Sequence, residues 1–204
     1  MSLTVATRSF DATPATRNNI GSLPSTVPGG LTADELGDGI NHQTVLNFTT
    51  GFYVVTGNTT GASFGSQAIY TFPEGRINIV GCTAKFSGIF MNTQTGSAGD
   101  IASDGAGSGD YSIGSTATAD ATLSSTDVNI LLSSAMLDPF VAGAGSSNAG
   151  TALAASAQLD GTSTAITAYL NVIIDDADVA DGAASDKVYF IGTVRVTWSH
   201  LGDY

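Results

Sequence analysis

A chain of 204 residues that is 42% hydrophobic but only 12% charged can bury a full single-domain core, and its surface must be wetted by Ser, Thr, Asn and Gly. The net charge of −12 and pI near 4.1, with no Lys or Arg between Lys85 and Lys187, oppose contact with phosphate backbones and anionic lipid, so neither nucleic acid nor a membrane is expected as partner. The single cysteine, Cys82, excludes an intrachain disulfide and a thiolate zinc cluster. It reads as a small apolar residue on the inner face of a strand.

The opening segment Met1 to Arg8 lacks the charged-then-apolar pattern of a signal peptide, which predicts synthesis in a cytosol. No apolar run approaches the ~20 residues of a membrane-crossing helix. Glu35 and Glu74 are the only glutamates, and Asp prefers turns and caps, so the acidic residues themselves favour a loop-rich β protein.

Residues 1–43 are predicted to form an extended N-terminal arm. Pro14, Pro24, Pro28 and Gly29-Gly30 exclude a long helix or a central strand there. Within the arm, Thr32 and Glu35 have capping-box spacing, which predicts a short helical turn ended by Gly37 and Gly39.

Residues 44–204 are predicted to be a β-sandwich domain. Leu46, Phe48, Phe52 and Val54 share one parity, and Ala68, Tyr70 and Phe72 form a second run. Pro73-Glu-Gly75 then predicts a hairpin into Arg76 to Met91, where Val80, Cys82, Ala84, Phe86 and Phe90 are expected to face inward. Asp110 to Ile113 and Ala121 to Leu132 are strand-like between Gly-rich loops, and Thr151 to Leu159 is read as strand.

Ile166, Ala168, Leu170, Val172 and Ile174 share a face opposite Thr167, Tyr169 and Asn171. The clearest strand is Lys187 to Leu201. Val188, Phe190, Val194, Val196 and Trp198 alternate there with Lys187, Tyr189, Thr193, Arg195, Thr197 and Ser199. The fold class predicted is all-β, an antiparallel sandwich of jelly-roll-like form. No fixed period of a solenoid, propeller or fibre shaft is present.

Chemistry-bearing patterns are sparse. Gly61-Ala-Ser63-Phe-Gly65 matches the nucleophile-elbow expression, with Asp175 and His200 following in hydrolase order, yet no amphipathic helix follows Gly65 to build the strained turn. His42 marks the entry to the first strand, and His200 stands beside Trp198 in a packing or hydrogen-bonding role. No spacing singles out Glu35, Glu74 or an Asp pair as glycosidase carboxylates.

Asp175-Asp176-Ala-Asp178-Val-Ala-Asp181 could offer oxygen ligands to Ca²⁺ but lacks the EF-hand register and its terminal Glu, so it reads as a solvated acidic turn. Asp100, Asp104 and Asp110 are a weaker version. Asn47-Phe-Thr49 and Asn58-Thr-Thr60 fit the glycosylation expression but have no secretory signal beside them. The sequence therefore assigns no catalytic, cofactor-binding or metal residue, predicts no cofactor, and points to a non-enzymatic protein.

Four phrases carry a family resemblance: Ile69-Tyr-Thr-Phe-Pro-Glu-Gly75, Ala121-Thr-Leu-Ser-Ser-Thr-Asp127, Ala168-Tyr-Leu-Asn-Val172 and Gly192-Thr-Val-Arg-Val-Thr-Trp198. Over roughly residues 44–204 the chain resembles head structural proteins of tailed bacteriophages, of the capsid decoration or cement type. The resemblance implies a virion structural protein made in the host cytoplasm and bound to the outer surface of an icosahedral shell. Its partners would be the major capsid protein and further copies of itself, as a homotrimer or homodimer. The alternatives are a carbohydrate- or receptor-binding module of a phage tail or fibre and, behind it, a hydrolase. Aromatic residues on loops would favour the binding module, whereas here most sit on strands at core parity.

Overall fold

The computed structural model describes residues 20–59, 62–92, 108–120, 122–135, 146–150, 158–175 and 186–202. The chain builds eleven strands: β1 (Leu31–Gly37), β2 (Asn41–Phe48), β3 (Tyr53–Thr59), β4 (Ala62–Thr71), β5 (Gly75–Asn92), β6 (Ser108–Gly114), β7 (Leu131–Ala135), β8 (Ser146–Gly150), β9 (Gln158–Gly161), β10 (Thr167–Asp175) and β11 (Asp186–Gly202). Every pairing is antiparallel. The strands form two sheets packed face to face, a β-sandwich.

β11 joins the two layers. β5 lies along it from Lys187 to Gly202, while on the other side β3 pairs with Asp186 to Tyr189 and β2 with Gly192 to Ser199. Layer A therefore contains β1, β2, the later part of β11 and the earlier part of β5, with β9 and β8 on the far side of β5. Layer B continues from the earlier part of β11 through β3, β4, β10, β6 and β7.

The crossing point is built by one glycine. Ile191 pairs with Gly88 and Gly192 with Phe86, which leaves Ser87 as an extra residue on β5, its hydroxyl donating to the Ile191 carbonyl. Such a bulge bends a strand pair. Gly192 has φ +152°, and a Cβ there would stand 2.2 Å from the Lys85 carbonyl oxygen. Only glycine fits both the backbone angle and the contact.

The alternation expected along β11 is realised in full: Val188, Phe190, Val194, Val196 and Trp198 are buried. Edge-to-face aromatic pairs tie the layers together from the inside. Phe86 meets Tyr111 of β6 at 5.2 Å between ring centres, Phe190 at 5.0 Å and Phe48 at 5.5 Å, and Phe72 meets Trp198 at 5.2 Å.

Several sequence expectations are corrected. Thr32 to Glu35 forms no helical turn; it lies within β1, paired along its length with β2. A single helical turn gains little by itself, whereas this ladder also buries Leu31 and Glu35. The sheet thus begins at Leu31 and not at residue 44, and residues 1–19 of the expected arm lie outside the described residues.

The hairpin expected at Pro73 to Gly75 does not form either. β4 pairs with β3 and β10, β5 with β11, β8 and β9, so this turn carries the chain from one layer to the other. In β5 the inward parity slips by one. Thr197 pairs with Gly81 but Trp198 with Ile79, so Val80 is bulged out and exposed while Ile77 and Ile79 are buried. Residues 122–130 are loop with one 3-10 turn at Ser125–Asp127, and β7 begins only at Leu131. Residues 151–157 lie outside the described set, and β9 begins at Gln158.

Gly192→Val is expected to cost about 2–4 kcal/mol, combining backbone strain with the clash at Lys85. Urea denaturation of the variant should show a lowered midpoint, with the cost well above that of Gly29→Val, where a Cβ would meet nothing.

Candidate functional site

The densest group of chemistry-bearing side chains in the described residues is buried where β1 and β2 face the end of β4. The inward parity of the first two strands sets it: Leu31, Glu35, His42, Thr44, Leu46 and Phe48 are all buried. Register places Glu35 opposite Thr44 and His42 opposite Trp198.

Glu35 is only 2% exposed, yet four donors reach it. His42 Nδ1 lies 2.8 Å from Oε1, and the Tyr70 hydroxyl donates to Oε2 at 2.5 Å. The backbone N–H groups of Ile20 and Gly21 donate to Oε1 and Oε2, each at 3.3 Å. A buried carboxylate left without partners would be strongly destabilising, and these donors replace the water it gives up.

The Tyr70 bond runs from β4 in layer B to β1 in layer A, so the carboxylate joins the layers as well as the incoming chain. Ser22 then pairs with Thr71 through two backbone hydrogen bonds, at 2.9 and 2.8 Å. Gly21 packs directly on the Tyr70 hydroxyl, where a Cβ would overlap it.

His42 stacks on Trp198 with ring centres 4.4 Å apart and planes 17° from parallel. Trp198 Nε1 donates to Thr44 Oγ1 at 2.9 Å. His42 Nε2 is buried without a hydrogen-bond partner. A carboxylate orienting an imidazole is a familiar catalytic fragment, but here the free nitrogen faces the packed interior, out of reach of a nucleophile or substrate. The arrangement holds strands; it does not present a reactive atom.

Burial, together with the bond to Glu35, pushes the Tyr70 phenol well above its ordinary value of 10.0, and the Thr44 hydroxyl pulls weakly the other way. Burial likewise pushes the Cys82 thiol up to about 12, which keeps it protonated and unreactive.

A second polar cluster lies on the outer side of layer B. Asn171, fully buried, accepts at Oδ1 from Ser66 Oγ (2.6 Å) and the Thr118 N–H (3.1 Å). Its Nδ2 donates to the Thr116 and Asp127 carbonyls, both at 3.0 Å. Ser112 adds a bond to the Asp127 carbonyl, and Asn129 pairs with Ser115. Together they clasp the 115–130 loop onto the sheet.

The elbow residues are not brought together. Ser63 lies inside β4, in register with Asn58 and Ile174, without the strand-to-helix turn that an elbow requires. Asp175 closes β10 opposite Ser108. His200 sits in layer A opposite Ile77, its Nε2 engaged with the Glu74 carbonyl at 2.8 Å, the hydrogen-bonding role expected of it. Glu74 is exposed and Glu35 buried, so the two glutamates share no site.

Asp110 lies in β6, while Asp100, Asp104 and the acidic run 176–181 fall outside the described residues. Among the described residues no three His, Cys, Asp or Glu side chains gather as a metal site, and no helix is long and apolar enough to cross a membrane. Sequence reasoning missed Glu35, Tyr70 and Thr44 as partners. The signal was present as Glu35, His42 and Thr44 at inward positions of a β1–β2 hairpin, but it was hidden by reading Thr32 to Glu35 as helix.

Fold and site define an antiparallel β-sandwich whose principal described polar cluster is an internal fastening. No protein-family model matches the chain, and no curated protein or solved structure matches it either.

Raising the phenol's pKa on folding gives a definite pH dependence. The contribution of Tyr70 is complete below the unfolded value near 10.0 and is lost as pH rises above it, because the unfolded chain releases a proton that the folded one keeps. Cys82 adds a loss of the same sign between 9.0 and about 12. Tyr70→Phe should lower stability by about 1.5–3 kcal/mol at neutral pH. It should also flatten the fall above pH 10 by ~1.4 kcal/mol per pH unit, as read from denaturant midpoints between pH 8 and 11.5.

Proposed function

We propose that this chain is a non-enzymatic virion structural protein that decorates and stabilises a capsid as a homo-oligomer. The observation that carries the reading is the use of the Glu35–His42–Tyr70 cluster. The residues most able to perform chemistry are spent on joining two sheets and anchoring the incoming chain. Exposed side chains on the outward face of layer A include Thr32, Thr83, Lys85, Thr193 and Arg195, a surface suited to crowding without aggregation.

The sandwich architecture, the acidic balance that keeps the protein off packaged nucleic acid, and the four phage-like phrases support the same reading. A jelly-roll-like sandwich of this size suits a subunit seated on the major capsid protein at the outer surface of a shell. An interface of ordinary area, burying apolar surface at about 25 cal/mol per Å², suffices to hold such subunits without a ligand.

Purified shells lacking the protein should take it up on their outer surface and resist heat disruption at higher temperature once decorated, as followed by sedimentation and calorimetry. Uptake only at a tail tip, or binding to host glycans without binding to shells, would replace this reading with the adhesion module.

A further inference from the structure

The outward side of layer A is polar over most of its length and apolar at one end. Leu36, Gln43 and Thr197 stand in register on β1, β2 and β11, and Thr197 faces Gly81, next to the bulged Val80. Just beyond this row the Ile40 carbonyl accepts the His200 N–H at 2.7 Å, which places Ile40 beside Leu201. Leu36, Ile40, Val80 and Leu201 are all exposed, as is Ile20 at the edge of β1; Leu132 on β7 is the one other exposed large hydrophobic among the described residues. Scattered exposed leucines mean nothing, but this clustering marks a surface that something covers.

The segment before Ile20 supplies an occupant. It carries Leu3, Val5 and Phe10, and Arg8 and Arg17 against the single acid Asp11, in a chain of net charge −12. Asp34 and Asp38 are exposed at the rim of the patch.

Length decides between the two copies on which it could lie. Ile20 and Gly21 are fixed to Glu35, so the root of the segment is at β1, and three strand spacings take the patch only about 15 Å from there. The apolar residues Phe10, Val5 and Leu3 stand beyond the polar spacer 11–19, roughly 33–60 Å from the root when extended. They overshoot their own patch and match one on a neighbour.

We propose that the N-terminal segment of one copy lies across the apolar end of layer A of a neighbouring copy, with Leu3, Val5 and Phe10 on Leu36, Ile40, Val80 and Leu201, and the two arginines at the acidic rim. The inference rests on the homo-oligomeric part of the reading above and names the surface that makes the oligomer. It needs no shell, so it fails or stands separately from capsid binding.

Arg8 and Arg17 make the segment its own reporter, because trypsin cuts after them. In the full-length protein, cleavage at both should slow as protein concentration rises, in step with a native mass above that of the 20.5 kDa chain. Leu36→Asp with Ile40→Asp, both at exposed positions, should restore cleavage by roughly tenfold at high concentration, since proteolysis follows the population of the undocked segment. Leu3→Ser with Val5→Ser should do the same from the other side of the contact, and it leaves the sandwich untouched. Protection that does not depend on concentration would place the segment on its own copy and overturn the proposal. So would association that survives both pairs of substitutions, or rapid cleavage at every concentration.

Discussion

Everything in this fold hangs on the ribbon of β5 and β11. Two strands paired over most of their length cross from one layer to the other, and each layer is assembled on one end of that ribbon. The crossing needs a bend that alternating hydrophobic residues cannot make alone, and Gly192 with the extra Ser87 makes it. The hydrogen-bonded network is therefore continuous through both layers, and the core between them is lined by a strand that belongs to each.

The buried Glu35 cluster serves the same end at the opposite edge. Where the ribbon joins the layers through backbone, Glu35 and Tyr70 join them through side chains, and the carboxylate also secures the chain just before the first strand. Burying an ion pair or a carboxylate seldom adds much net stability over a hydrophobic replacement. Its value is in specificity: a one-residue slip between β1 and β2 would turn Glu35 or His42 outward and leave the remaining partners unpaired. The aromatic stack of His42 on Trp198 fixes the same register from β11.

Strand periodicity made much of this legible. β11 and the inward face of β10 are as their alternation reads, because a regular two-residue period has one simple explanation. The failures fall where a local rule met a tertiary one. Thr32 to Glu35 has a capping-box spacing, but Glu35 is held by Tyr70 and His42, partners far away or on the next strand. Val80 looked inward because parity was counted through a bulge that only pairing with β11 reveals. Asn171 sat on the polar face of β10 as expected, yet it is buried, since a loop over fifty residues earlier in the chain folds across it. The pairing partner of a strand is not written in the strand, and the turn at Pro73 to Gly75 shows this most plainly: its residues are those of a hairpin, and it joins two strands that never meet.

The order of the strands along the chain has a consequence for biosynthesis. β11 follows all the others, and β2, β3 and β5 have it as a neighbour. Until it emerges from the ribosome, β5 lacks its principal partner and neither sheet is continuous. Contacts this distant in sequence fold slowly and expose strand edges while they wait. The nascent chain thus cannot consolidate domain by domain; it must stay soluble as an unfinished sandwich, a task for which a sequence rich in Ser, Thr and Asp and poor in unbroken apolar stretches is well composed.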